Sequence, residues 1–340
     1  MTVSSVTATV LVPFAMKWMQ KLPGLVLVAA MATIATLTQR LTGIAALSPL
    51  IVALIIGICY RKIFGKARAL EAGVAFALRP VLRFAIILLG LQITLMEVAL
   101  LGWQGVITVA LTLVATFLFT KAVARLLGVE RRLAELIAAG TSVCGASAIV
   151  ACNTVTRGSD EDVAYAMACV TLFGTVAMLA FPVLSGSMQL SAHAYGIWAG
   201  ISINEVGQVV GATFVVGEEA GHMGAVAKLT RVMLLAPLIL TLGFLRNRGD
   251  GASVRVPTLW FVFGFIAMMV FNTIFSLPGS LHDFLVLTTA FLLTAALAAM
   301  GLETDLKKLC EKGIGPLALG ASAAESISVV GLVLTLWATR

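Results

Sequence analysis

Gly140-Thr141-Ser142-Val143-Cys144-Gly145-Ala146-Ser147-Ala148 interrupts a membrane-length apolar stretch that runs from Arg132 to Arg157. These small and hydroxylic residues neither pack like a lipid-facing helix nor favour a regular one. In a bilayer, backbone that leaves the helix must be buried in protein or line a watery cavity. Transporters put such interrupted segments at their binding sites, where freed peptide dipoles face the solute. The stretch therefore points to a membrane protein that handles a solute at mid-depth.

Composition leads the same way. Hydrophobic residues make up 60% of the chain and charged residues 11%, against about 25% charged in soluble domains. The intervals 22–39, 41–60, 163–204, 256–282 and 284–302 contain no Asp, Glu, Lys or Arg. Since about 20 apolar residues cross the hydrocarbon core as a helix, the chain reads as an all-α polytopic membrane protein. Eleven spans are expected, near 23–38, 43–60, 82–97, 104–123, 135–153, 163–184, 195–216, 223–245, 257–275, 283–301 and 314–337. Lys17 and Lys21 precede the first of these, as in a signal peptide. That run ends in Thr38-Gln39-Arg40 without a small-x-small cleavage site, so it is read as a span.

The net charge of +7 does not point to nucleic acid, because alternate loops carry it. Lys17, Lys21, the cations of 61–83, 121–132 and 246–255, and Lys307, Lys308 and Lys312 put 18 basic residues on one face. Arg40, Arg157 and Arg340 fall on the other, where Asp160, Glu161, Asp162, Glu218 and Glu219 read as solvated loops. This is the positive-inside pattern; it predicts a cytoplasmic N-terminus and an external C-terminus. Every loop is short, so residues 1–340 read as one transmembrane domain. An odd span count leaves a leading helix (1–40) and two inverted five-helix repeats (41–190 and 191–340), pairing span five with span ten. A competing frame rests on Gly90-Leu91-Gln92-Ile93-Thr94-Leu95, echoed by Gly301-Leu302-Glu303-Thr304-Asp305-Leu306.

Chemistry concentrates in a few residues. Glu205 is the only ionisable Asp, Glu, Lys or Arg between Asp162 and Glu218. At mid-bilayer such a group costs on the order of 3 kcal/mol and commonly marks a pathway or relay. Lys228 and Arg231 share a helix face three residues apart; Arg suits bidentate recognition of an oxyanion, while Lys228 can snorkel outward. The site expected from these residues joins Ser142, Cys144, Gly145, Ser147 and Asn153 of the interrupted span to Asn204, Glu205 and Gln208, with Lys228 and Arg231 opposite. It would capture a small inorganic or organic anion on exposed N–H groups and helix N-termini, with Glu205 exchanging a proton. Asn153 and Gln208 offer oxygens for sodium in the alternative, a sodium-coupled organic-anion symporter. Glu325 could carry a coupling proton, pair with Arg231 or make an ordinary interhelical contact. Five cysteines and three histidines lack metal or disulfide spacing. No cofactor is expected beyond a coupling H+ or Na+. Cys144 with Glu205 is the one pair that would suit an integral membrane enzyme, and no histidine motif supports it.

Four ordered motifs resemble one family. They are Gly140-Thr-Ser-Val-Cys-Gly-Ala-Ser-Ala-Ile149, Gly200-Ile-Ser-Ile-Asn-Glu-Val-Gly-Gln-Val-Val210, Lys228-Leu-Thr-Arg-Val-Met-Leu-Leu-Ala-Pro237 and Ala299-Met-Gly-Leu302. They are similar to signatures of the sulfate-exporter family of conserved hypothetical bacterial inner-membrane proteins, over nearly the whole chain. The resemblance implies the architecture of bile-acid/sodium symporters and sodium/proton antiporters, with a panel domain, a core domain and crossing broken helices. It also implies sulfate or sulfonate-type export across the inner membrane by alternating access, in an architecture that often pairs two copies. This sequence departs from the pattern at Asn204, where His is expected, and at Gly207, where Ala is expected. Glu325 has no counterpart in it.

Overall fold

A computed structural model describes residues 18–42, 48–65, 67–246, 260–275, 278–304 and 313–339. Lys17, Lys66, Arg248, Arg255, Lys307, Lys308, Cys310, Lys312 and Arg340 of the charge and cysteine readings lie outside them, as do Asp305 and Leu306 of the echoed motif. Every regular element among the described residues is helical, and seven helices are long and apolar enough to cross a membrane. The chain is an all-α, multi-pass membrane protein. It divides into two compact units, Met1–Gln92 with Ser276–Thr304 and Ile93–Phe275 with Asp305–Arg340.

The first unit holds α1 (Leu22–Thr42), α2 (Pro49–Phe64), α3 (Arg68–Phe76), α4 (Leu82–Leu89) and α14 (Gly279–Glu303). Pro80 has no N–H to donate, and a π turn at Ala77–Val81 carries α3 into α4 around it. Without a hydrophobic drive between helices in lipid, close backbone approach at small residues does the packing. A Cβ on Gly301 would stand 3.0 Å from the Cα of Gly57, and one on Gly24 2.8 Å from the Cα of Gly73. Val28, Met31, Ala53, Val74, Ala298 and Leu302 form the core between them.

The second unit contains α5 (Leu95–Leu126), α6 (Arg131–Ser142), α7 (Ala146–Thr156), α8 (Asp160–Met188), α9 (Ala192–Ser202), α10 (Val206–Thr213), α11 (Glu218–Met233), α12 (Leu235–Arg246), α13 (Trp260–Ile274) and α15 (Ile314–Ala338). The segment opened at Gly140–Ala148 is broken as expected: α6 ends at Ser142, and α7 begins at Ala146. Its path differs from the expectation. α7 turns back along α6, so that Thr156 Oγ1 donates to Glu135 Oε2 at 3.2 Å and a Cβ on Gly140 would meet the Ile149 side chain at 2.8 Å. A second break at Ile203–Glu205 does the same for α9 and α10. Tyr195 Oη donates to the Ala212 carbonyl at 3.1 Å, and both arms lie along α11, with Gly196 beside Ala220 and Phe214 beside Gly221.

These contacts correct the expected crossing broken helices. Residues 131–156 and 192–213 are helical hairpins, each folded back on itself at its break. The physical reason lies in the connectors. Arms of 12 and 11 residues, and of 11 and 8, rise only about 12–18 Å at 1.5 Å per residue. At the first tip Gly145 takes φ 68°, a left-handed value that glycine adopts without penalty and that reverses the chain. Residues 283–301, paired with the first broken segment in the expected repeat frame, lie within the unbroken α14. The hairpins approach from opposite ends of α8. Leu136 and Gly158 lie beside Asp162 near its start, Phe181 stacks on Trp198 at 4.1 Å towards its end, and Asn204 meets Val170 between them. Asp162 is no solvated loop residue: it is buried and closes a capping box with Ser159 at the head of α8.

Candidate functional site

The two tips meet beside the middle of α8, and their meeting concentrates helix ends. α6 and α9 end there, exposing C-terminal carbonyls, while α7 and α10 begin there, exposing N–H groups. Helix ends carry about half a charge each, negative at the C-terminus and positive at the N-terminus. The charged side chains sort by that field.

Lys228 and Arg231 stand one turn apart on α11, and both are fully buried. Lys228 Nζ donates to the Val143 carbonyl at 3.0 Å and to the Ile203 carbonyl at 2.7 Å, one from each tip. Arg231 Nε donates to Ser142 O at 2.6 Å, Nη1 to Ile201 O at 2.7 Å and Ile203 O at 3.4 Å, and Nη2 to Thr141 O. Both cations thus bind the carbonyl ends of α6 and α9 together. Lys228 does not snorkel. No ion pair within 4 Å joins Arg231 to Glu205, and all three guanidinium nitrogens are engaged by carbonyls.

Glu205 lies on the other side of this arrangement. It is the N-cap of α10, where Gln208 Oε1 accepts from its backbone N–H at 3.2 Å. Its carboxylate accepts from Thr171 Oγ1 of α8 at 3.0 Å, with the Ala146 N–H at the start of α7 beside it. One carboxylate therefore stands at the first turns of two helices from different hairpins. The fit to the first tip is close, since a Cβ on Gly145 would stand 2.5 Å from Glu205 Cγ. Gln208 Nε2 donates to Thr171 O at 3.1 Å and Thr175 Oγ1 at 3.2 Å, and Asn204 Nδ2 to Val170 O at 2.9 Å, fastening the second tip to α8. Ser142 Oγ and Asn204 Oδ1, one at each tip, are buried with no partner in the protein.

Of the residues expected from sequence, Ser142, Cys144, Gly145, Asn204, Glu205, Gln208, Lys228 and Arg231 come together here. Ser147 lies on the exposed side of the first turn of α7. Asn153 stands apart, because its Oδ1 accepts from Gly158 N–H at 2.7 Å and closes the far end of α7. Glu325 is exposed on α15 and makes no ion pair with Arg231. Sequence reasoning missed Thr171, which a lone threonine in an apolar run does not signal, and the Ala146 N–H. It also missed Glu135, buried at the open end of the first hairpin, where Lys121 (3.3 Å), Arg131 (3.4 Å) and Thr156 hold it. Among the described residues no group of three His, Cys, Asp or Glu could hold a metal.

No solved structure matches this chain. The family profile described as conserved hypothetical protein 698 matches residues 23–320. A UPF0324 membrane protein of Pseudomonas putida is 34% identical, with 93% of each chain covered. One of Bordetella pertussis is 35% identical over 92% of this chain and 94% of its own, and one of Listeria monocytogenes 31% over the same shares. The motifs at 140–149, 200–210, 228–237 and 299–302 thus carried a true resemblance, and the chain belongs to the UPF0324 family of conserved hypothetical membrane proteins.

Proposed function

We propose that this protein is a secondary transporter of small anions in the bacterial inner membrane, with its cargo site where the two hairpin tips meet. One observation carries the reading: two fully buried cations share the junction with a single carboxylate. The helix ends contribute two negative and two positive half-charges, which cancel. One formal positive charge is left over at the depth of the membrane, where an unbalanced charge is costly. That excess positive charge draws an anion to the junction. Arg231 acts in this reading through the tips it holds rather than by touching cargo. Sulfate and sulfonates are the first cargo to test, and export by alternating access is the expected mode. Transport is preferred to catalysis by the Cys144–Glu205 pair because buried cations beside broken helices suit a solute pathway.

A second reading rests on the two unpartnered oxygens, Ser142 Oγ and Asn204 Oδ1. Oxygens left without donors suit a sodium ion, as in a sodium-coupled organic-anion symporter. Radiolabelled sulfate, methanesulfonate and acetate flux into proteoliposomes, with imposed pH or sodium gradients, tests both. Anion flux driven by a pH gradient alone supports the first. An absolute sodium requirement, lost in Asn204→Ala, supports the second. Absence of gradient-driven anion flux across the panel in folded protein sinks both.

A further inference from the structure

Glu205 occupies its position in the manner of a ligand. Its carboxylate is received by the Thr171 hydroxyl of α8, against the bare backbone of Gly145 and beside the Ala146 N–H of the first hairpin. Thr171 and Ala146 lie outside the helix that Glu205 itself caps in a capping box with Gln208. Two further polar atoms at the tips, Ser142 Oγ and Asn204 Oδ1, are buried and unpartnered, so the junction holds more hydrogen-bonding capacity than the protein uses. We infer that Glu205 is a tethered stand-in for the cargo: a free oxyanion replaces its carboxylate on the Ala146 N–H and Thr171 Oγ1, and can do so only when Glu205 takes up a proton. This rests on the anion-transport reading and adds the cargo's chemistry, a carboxylate-, sulfonate- or sulfate-like group presenting two adjacent oxygens.

The exchange balances. One proton from water bonds to a Glu205 oxygen, the neutral acid releases the two donors, and one anionic group takes them. Without protonation, two carboxylate-like groups would share one cradle and repel. Glu205 faces Lys228 from α11 and the Cys144 thiol from the first hairpin, with Arg231 beyond them on the far side of Cys144; α8 contributes only the uncharged Thr171. Those two cations stay bound to carbonyls in both states, so the proton falls to Glu205. One anion and one proton therefore arrive together.

The test uses the purified full-length protein. Glu205→Ala empties the cradle. Millimolar formate, acetate or sulfate is expected to raise the thermal midpoint of this variant by several degrees, chloride much less, and wild type at pH 8 hardly at all. Glu205→Gln keeps the shape of the side chain and serves if the alanine variant misfolds. Wild type should take up about one proton per anion, measured in weakly buffered solution, so that its apparent affinity falls about tenfold per pH unit while Glu205 is ionised. Glu205→Gln should take up none and lose that slope. Equal stabilisation of wild type and Glu205→Ala by every anion, or unchanged proton uptake in Glu205→Gln, overturns the inference. Stabilisation of Glu205→Ala without flux in liposomes would leave the cradle standing and reject transport instead.

Discussion

Each ionisable residue at the tip junction answers a helix end. Arg231 offers three nitrogens to four carbonyls from two hairpins, and bonds from a charged donor contribute about 1.5–3 kcal/mol each. Arg231→Met, which leaves those carbonyls without donors, should lower stability by roughly 3 kcal/mol or more, read as loss of the thermal midpoint in detergent. Added sulfate should not restore it. Arg231→Lys should fare nearly as badly, because an ammonium cannot span Thr141, Ser142 and Ile201 at once. Gly145→Ala tests the first tip. Its left-handed φ costs a non-glycine residue about 1–2 kcal/mol, and the new methyl would meet Glu205 Cγ at 2.5 Å. Lower stability and lost flux are expected together. At this scale the sequence was legible wherever a charge stood out of an apolar run, as Glu205, Lys228 and Arg231 do. It was silent on what each charge touches: the expected match of Arg231 to an anion and the observed match to backbone carbonyls use the same fork of donors.

Between elements the sequence was legible as a pattern of breaks but not of directions. Gly140–Ala148 announced a broken helix and is broken, whereas the break within Gly200–Gln208, a stretch singled out only for its buried charge, was not announced. Nothing in their composition distinguishes a helix that continues beyond its break from one that turns back, since either places small residues at the tip. The distinction lies in partners distant in sequence, such as Phe181 on Trp198 and Gly196 on Ala220. Single cysteines in a cysteine-free background decide between the two paths. With hairpins, Glu130→Cys and Asp160→Cys react with an impermeant thiol reagent from one side, and Ser187→Cys and Glu219→Cys from the other. With crossing helices, 130 and 187 would pair against 160 and 219.

Across the whole molecule, two hairpins in place of two crossings leave the direction of every helix outside 157–191 unchanged, because two missed crossings cancel. The alternation of charge outside that segment is therefore the same for either path. The hairpin path also sharpens the asymmetry: Arg157, expected opposite Arg131 and Arg132, sits at their end of the second unit, where Gly158 lies beside Leu136. The positive-inside rule then predicts a cytoplasmic position for the Asp160 end of α8. In right-side-out spheroplasts Ser187→Cys should label directly, and Asp160→Cys only after the membrane is disrupted. The resemblance implied two domains, but the bounds of the two compact units escaped the sequence, because Ser276–Thr304 joins residues nearly two hundred positions earlier with no polar linker at either boundary.

The double grip of α11 also sets an order of manufacture. Arg231 binds carbonyls up to 90 residues before it and Lys228 one 85 before. A ribosome making residues 131–156 therefore releases a hairpin too short to span and unable to satisfy its own tip. The nascent segment must wait, shielded by the insertion machinery or lying shallow in the membrane, until α11 emerges with both cations. Chains stalled between residues 190 and 225 should leave the first hairpin open to protease, and chains extended past α11 should close it.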